Sequence, residues 1–431
     1  MAVEREARRD AGTSIDDARG LATSARSASV RLRTLPAAER RRGLEQLAGL
    51  IAEHSDALLR ANSRDVESAR AAGLRAALVD RTTLTAPRVR AMIEGVRAVA
   101  ALPDPVGQTI NEQVRPNGMR LAQMRVPIGV ILMIYEARPN VTVDAAALCL
   151  KSGNAAILRG GREASHSNAL IGQLFERVDL PSGWAQVVSN PDHALVTDLL
   201  KSDGIDLVIP RGGESLIRSV VQHARMPVLK HFKGITHVFI DRRADLTMAA
   251  RIVVNAKVNR PSTCNSLESV LVDAPVAAAF LPVVARALHE AGVEIRADAR
   301  AIGAMTGAAG TMAGVMAATE EDWATEHLDL IVNVRVVEDL DEALGHIDRY
   351  GTGLADAIVT EDAERAERFV ASVDSAAVLV NASTRLVDGA EFGLGAEIGI
   401  STDRIGPRGP MGPAELTSLK WVVRGQGQLR G

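Results

Sequence analysis

The chain has 431 residues, 47% hydrophobic, 24% charged and 3% aromatic, with a formal net charge of −3. At roughly 150 residues per domain this length predicts two or three domains, with cores filled mainly by Ala, Val, Leu and Ile. The near-balanced charge excludes a nucleic-acid binder held by a broad basic surface. The longest apolar runs, 126–134 and 274–285, fall short of the ~18 residues that span a bilayer, and residues 1–20 lack the apolar stretch of a secretory signal. Two cysteines, Cys149 and Cys264, permit neither a disulfide framework nor a four-thiolate zinc site. A soluble cytoplasmic protein with no resident metal is expected.

Residues from about 15 to 100 read as helices, for example 37–54 and 63–72, where apolar residues recur at three- and four-residue spacing. Pro103 and Pro105 break that pattern. Segments 108–115 and 119–126 then flank Pro116-Asn117-Gly118, and Asn-Gly between two strand-like runs signals a hairpin. Glu112, Gln113, Arg115, Arg120 and Gln123 make this hairpin too polar for a core. It is either a solvated arm or an arm that pairs with another subunit, because an exposed edge is a pairing template.

From Gly129 strands and helices alternate. Strand 129–134 precedes a helix over 141–152, and strand 155–159 ends at Gly160-Gly161 before a helix near 165–177. Strands 185–188, 206–209 and 237–240 continue the series. This alternation predicts a doubly wound parallel sheet, whose ligands bind at the carboxyl ends of the strands. A second alternating block follows Cys264: strand 269–272, helix 276–291, strand material at 328–334 and 336–338, helix 340–350, then 355–360, 361–372 and 377–381. The tail is Gly-rich from 389 to 412 and ends in a strand-like 419–424.

Cys149 sits among apolar neighbours, as a buried small hydrophobe does. Cys264 lies in the polar stretch Asn259-Arg260-Pro261-Ser262-Thr263-Cys264-Asn265-Ser266, a setting that favours a nucleophile over packing. A free thiol is only roughly 3% thiolate at neutral pH, so the site must stabilise the anion. No G-x-G-x-x-G follows a predicted strand, so the usual dinucleotide fingerprint is absent. Arg159, Gly160 and Arg162 nevertheless close strand 155–159, and two guanidiniums there suit a ribose 2′-phosphate; two solvated arginines are the alternative. Arg211, Gly212 and Gly213 precede a helix, whose N-terminus attracts phosphate; a plain turn is the alternative.

These residues and long segments around them, among them VPIGVILMIYEARPNVTVDAAALCLKSGNAAILRGG, NRPSTCNSLE and NASTRLVDGAEFGLGAEIGISTDRIGPRGP, resemble the aldehyde dehydrogenase superfamily, and within it the γ-glutamyl phosphate reductase family. The resemblance implies an aldehyde-dehydrogenase-like α/β fold. It divides into an NADPH-binding domain (1–106 and 127–254), a catalytic domain with the nucleophilic cysteine (255–382), an oligomerisation arm (107–126 and 411–431) and a Gly-rich return to the nucleotide-binding domain (383–410). Carried over residue by residue, Cys264 is the nucleophile, Arg159 stands near the adenosine ribose, Gly212 and Gly213 form the phosphate-facing turn, and Glu326 holds the nicotinamide ribose. An oxyanion donor falls in Glu136–Asn140, at Arg138 by register or Asn140 by chemistry. Arg138 and Arg385 are candidates for the substrate's carboxylate or phosphate, with a structural salt bridge as the alternative for each.

Two departures matter. Hydrolytic aldehyde dehydrogenases carry a water-activating glutamate where this chain reads Leu229-Lys230-His231-Phe232-Lys233-Gly234, so phosphate is left as the acyl acceptor. The closer family's Gly-His-Thr-Glu is here Gly353-Leu354-Ala355-Asp356, which puts that segment's part in holding substrate in doubt. The implied activity is NADPH-dependent reduction of L-glutamyl 5-phosphate to L-glutamate 5-semialdehyde, the second step of proline biosynthesis. The implied partners are the small-molecule substrate, further copies in a dimer or tetramer, and a transient complex with the glutamate kinase that makes the unstable acyl phosphate. The rival readings are a phosphorylating dehydrogenase for another acyl phosphate, a cofactor-independent cysteine acyltransferase or hydrolase, and a non-catalytic assembly protein on the same scaffold.

Overall fold

The computed structural model describes residues 2–190, 192–306 and 314–430. The chain divides into two compact units, one of Met1–Lys230, Gly393–Gly399 and Met411–Gly431, the other of His231–Phe392 and Ile400–Pro410.

In the first unit the helical segment 2–101 leads into the hairpin β1 (Thr109–Val114) and β2 (Arg120–Pro127). The expected turn forms at Pro116-Asn117-Gly118, where Gly118 takes a φ of 83°. A β-bulge interrupts β1, with Asn111 in the left-handed region at φ 53° and the register shifting between Ile110 and Gln113. A four-stranded sheet follows, made of β3 (Val130–Tyr135), β4 (Ala155–Arg159), β5 (Ala185–Val187) and β6 (Leu207–Arg211). Its order is β5-β4-β3-β6 and every neighbour is parallel. All six residues of β3 are buried, as a run covered on both faces requires. Helices Ala37–Glu53, Ala86–Ala101, Pro139–Lys151 and Ser165–Glu176 supply apolar faces to the same core.

The second unit holds a seven-stranded parallel sheet. Its strands are β7 (Thr236–Ile240), β8 (Leu267–Asp273), β9 (Glu294–Ala297), β10 (Val315–Ala317), β11 (Ile331–Val337), β12 (Ala355–Val359) and β13 (Ala377–Val380), in the order β10-β9-β11-β8-β7-β12-β13. The period of two divides its faces cleanly. Val238, Ile240, Val270 and Val272 meet helices Leu246–Val258 and Ala274–Glu290, while Phe239 and Leu271 point the other way, toward helices Leu340–Tyr350 and Ala363–Ser372. The short ribbon β14 (Ile400–Ser401) and β15 (Gly409–Pro410) also belongs here. In the first unit the chain ends as β16 (Thr417–Arg424), which pairs antiparallel with β2 along its whole length.

Three expectations differ from the structure. The sequence pattern carries strand 237–240 into the first sheet and the first domain to residue 254. Instead β7 lies between β8 and β12, and the second unit begins at His231. The Gly-rich stretch 383–410 is likewise divided, with only Gly393–Gly399 in the first unit. Local pattern marks a buried strand but not its non-local partners.

Inside the second unit His346 is packed against Trp323, His237 and Tyr350, and its imidazole pKa is driven down to about 2 by burial, with His237, Arg335 and Arg349 adding repulsion. It therefore stays neutral when folded but binds a proton below the usual 6.5 when unfolded. Stability should fall with pH below 6.5 by up to about 1.4 kcal/mol per unit from this one residue. Urea unfolding at pH 7 and pH 5 tests this, and an unchanged pH dependence in His346→Phe would exclude it.

Candidate active site

Cys264 lies on the turn between helix Leu246–Val258 and β8. Its half-buried side chain packs against the cluster of Leu354, Ala355, Val387 and Ile400. The loop that carries it is pinned from several sides. Asn265 donates through Nδ2 to the Val387 carbonyl at 2.9 Å, and its Oδ1 accepts from the Arg385 guanidinium. Arg385 also donates from Nε to Asn259 Oδ1 at 3.2 Å, so one side chain holds both ends of the loop. Behind the cysteine stands Gly234. A Cβ there would lie 2.0 Å from the Cys264 carbonyl oxygen and 2.9 Å from its Cα, so only glycine fits without displacing the loop. The Gly234 N–H donates to Glu326 Oε1 at 2.9 Å.

The two residues after Glu326 are bonded to β8. Glu268, four residues beyond the cysteine, accepts the His327 N–H at 3.2 Å and the Leu328 N–H at 3.3 Å. Its fully buried carboxylate faces the equally buried Lys257 ammonium at 3.4 Å. Burial raises the Glu268 pKa to about 7 despite the pull of Lys257.

In the first unit the other candidate residues gather at the carboxyl ends of β3, β4 and β6. Arg159 ends β4 and donates to the Gly160 carbonyl at 2.9 Å. Burial and the nearby Arg162 both lower its pKa, so two guanidiniums stand within each other's field. Gly160 passes so close to Asn168 that a Cβ would meet Nδ2 at 2.3 Å. Asn168 is itself fixed by a buried chain, its Oδ1 accepting from Thr142 Oγ1 at 2.7 Å while Thr142 meets the Tyr135 hydroxyl at 2.6 Å.

At the end of β6, Arg211 crosses the backbone of Gly399, where a Cβ would lie 2.4 Å from its Nη1. Glu136, just after β3, accepts the Gly213 N–H at 3.0 Å and so caps helix Glu214–His223. An anion at that helix start would share it with a carboxylate or turn the carboxylate aside. Arg138 is the N-cap of helix Pro139–Lys151, and Asn140 donates from Nδ2 to Asp144 Oδ2 at 3.1 Å.

Residues 9–324 match the aldehyde dehydrogenase family. The chain is 52% identical over 416 residues to a gamma-glutamyl phosphate reductase of Opitutus terrae, covering 95% of this chain and 97% of that one. It is 49% identical over 414 residues to a gamma-glutamyl phosphate reductase of Caldanaerobacter subterraneus subsp. tengcongensis, with 95% and 98% covered. The crystal structure of a gamma-glutamyl phosphate reductase from Thermotoga maritima superposes with a TM-score of 0.91 at 42% identity, across 96% of this chain and all of that one. The chain belongs to the aldehyde dehydrogenase family.

As an aldehyde dehydrogenase family member it shows how its unusual 353–356 segment is used. Leu354, Ala355 and Asp356 are buried, the first two beside Cys264. Asp356 accepts the His237 backbone N–H at 2.9 Å, contacts its Nδ1 at 2.7 Å and accepts from Ser375 Oγ. These side chains build the interior under the cysteine loop. Sequence reasoning missed Gly234, Glu268, Lys257 and Glu136. Gly234 stood in the stretch read for its missing carboxylate, and Glu268 in the motif read for its cysteine. Among the described residues no group of three or more His, Cys, Asp or Glu side chains is placed to hold a metal ion, and no helix is long and apolar enough to cross a membrane.

Proposed function

We propose that the protein reduces L-glutamyl 5-phosphate with NADPH to L-glutamate 5-semialdehyde and phosphate, through a thioester on Cys264. The observation that carries this reading is the half-buried cysteine on its pinned loop, in a chain 52% identical to a gamma-glutamyl phosphate reductase along nearly its whole length. The Cys264 thiolate attacks the acyl carbonyl carbon and phosphate departs with the electrons of the C–O bond. The Cys264 backbone N–H, with Arg138 or Asn140 by resemblance, stabilises the oxyanion; losing one such donor costs about 10²–10³ in rate. When bound, the nicotinamide supplies the hydride that converts the thioester to a thiohemiacetal. That species collapses to the aldehyde, and the proton on its oxygen passes to the leaving thiolate or solvent. Segment 229–234 offers no carboxylate to activate water, which supports phosphate as the acceptor in the reverse direction. Arg385 is bonded to Asn259 and Asn265, so the reading gives it the cysteine loop first and the substrate second.

The test is the reverse reaction. The semialdehyde and NADP should give an absorbance rise that depends on added phosphate. A rise without phosphate would mean that water is the acceptor and would sink the phosphorylating reading.

A nicotinamide cofactor goes with the family, and the phosphorylated form with Arg159 and Arg162. Their mutual repulsion, offset in part at Arg159 by Glu163, favours a dianion beside them, which fits a ribose 2′-phosphate. Arg211, Gly212, Gly213 and Glu326 complete the proposed cofactor set. Arg162→Ala should raise the KM for NADPH about tenfold, in line with the loss of one charge-assisted contact, and leave that for NADH unchanged. Equal effects on the two cofactors would remove Arg162 from the 2′-phosphate.

The arm supports assembly into a dimer or tetramer. β16 is an edge strand of the sheet β1-β2-β16, and Leu419, Trp421 and Val423 project from one face of it while 42–58% exposed. A strand edge with an apolar stripe is a template for a second copy. Trp421→Glu should lower the sedimentation mass by half or more; an unchanged mass would place the interface elsewhere. A cytoplasmic location goes with the reading, since Cys149 and Cys264 are both free thiols.

A further inference from the structure

Lys257 and Glu268 are each fully shielded from solvent, and both lie in the segment that carries the nucleophile. Lys257 lies in the last turn of the helix that runs into the cysteine loop, and Glu268 lies in the strand that leaves it. The ammonium's one close partner among the described residues is the Glu268 carboxylate, at 3.4 Å, and Asp329 and Glu326 add to the negative field around it. Burying such a pair costs desolvation that well-packed apolar residues of the same volume avoid, so stability alone does not account for it. What an apolar residue cannot do is accept two consecutive backbone N–H groups. Glu268 does this at His327 and Leu328, where Leu328 sits in the left-handed region at φ 54°. The residue before them, Glu326, reaches the Gly234 N–H, and Gly234 packs against the Cys264 backbone.

We infer that the Lys257–Glu268 pair is a positioning device that seats Glu326 against the back of the cysteine loop. Lys257 faces Glu268 at 3.4 Å and favours its charged form against the opposing effect of burial, and the two carboxylate oxygens hold the 327–328 backbone in a conformation a leucine would otherwise leave. Without the two acceptor oxygens at position 268 that backbone is freed and Glu326 drifts from Gly234. Neither Lys257 nor Glu268 touches substrate; both act through Glu326. The inference rests on the reading that Glu326 holds the nicotinamide ribose.

The experiment compares Lys257→Met/Glu268→Leu, which strands no charge, with Glu326→Gln and with the triple variant. NADPH affinity is measured by fluorescence titration and Cys264 exposure by its iodoacetamide rate. The double variant should weaken NADPH about tenfold and leave the alkylation rate within about twofold of the parent, and the triple variant should bind no worse than Glu326→Gln. Where the double variant does not fold, Glu268→Gln takes its place in the same comparison. If Glu326→Gln weakens NADPH and the pair variant does not, or if the two effects simply add, the positioning role is overturned while the reading of Glu326 stands. If Glu326→Gln binds NADPH as tightly as the parent, the reading of Glu326 falls and the inference with it.

Discussion

Cys264→Ala is expected to lower turnover by at least about 10⁴-fold while leaving NADPH affinity unchanged. The reason is that no other group can take over the acyl transfer. The second thiol, Cys149, is 1% exposed inside the first core, and burial pushes its pKa up to about 12. At neutral pH its thiolate fraction is negligible, and the thiolate is the nucleophile. Iodoacetamide should accordingly modify one thiol in the folded protein, with loss of activity in step with Cys264 labelling. A hydrolase without a cofactor would lose activity in the same variant, so the control is stoichiometric NADPH oxidation in the parent. Residual turnover above about 1% in Cys264→Ala would end the thioester mechanism.

Much of the fold was legible because its parallel strands are buried on both faces and read as apolar runs between turn residues. β3, helix Pro139–Lys151 and β4 fall within a few residues of their expected bounds. Where a strand carries charge the pattern fails. Glu268 made the start of β8 read as loop, although the strand begins at Leu267 and seats that carboxylate against Lys257. β9 and β10 escaped notice for a related reason. They are short, and Arg296 of β9 is satisfied by Glu294 and Asp322 rather than by solvent. The place of β7 was not readable at all, since partner choice in a parallel sheet leaves no local trace.

The candidate site divides along the same line. Cysteine, arginine and glycine types in a suggestive context made Cys264, Arg159, Arg162 and the Gly160-Gly161 loop candidates. The groups that hold them in place are ordinary residues whose meaning comes from what the fold brings near. Asn265 and Arg385 lie 120 residues apart in sequence, and the two ends of the buried His237–Asp356 contact 119 apart. No spacing rule joins them.

Gly234→Ala is expected to cost about 10² in kcat and about 1–3 kcal/mol in stability. One methyl group placed at 234 meets the carbonyl oxygen, carbonyl carbon and Cα of Cys264 at 2.0, 2.7 and 2.9 Å. These are backbone atoms, so no side chain can swing clear and the loop itself must retreat. The loop is tied by Asn265 to Val387 and by Arg385 to Asn259 and Asn265, so the strain passes to the position of the thiolate rather than dissipating. A displacement of about 1 Å at a reacting atom is worth about 10²-fold in rate. The same shift moves the Gly234 N–H from Glu326, so the KM for NADPH should rise together with the fall in kcat. A control separates this from the general cost of losing a glycine. Gly345, inside helix Leu340–Tyr350, has nothing within 4 Å of its would-be Cβ, and Gly345→Ala should keep full activity and gain about 0.5–1 kcal/mol in stability. Parent-like kcat in Gly234→Ala would show that the cysteine loop tolerates the displacement, and that its tight seating against residue 234 is packing without a catalytic consequence.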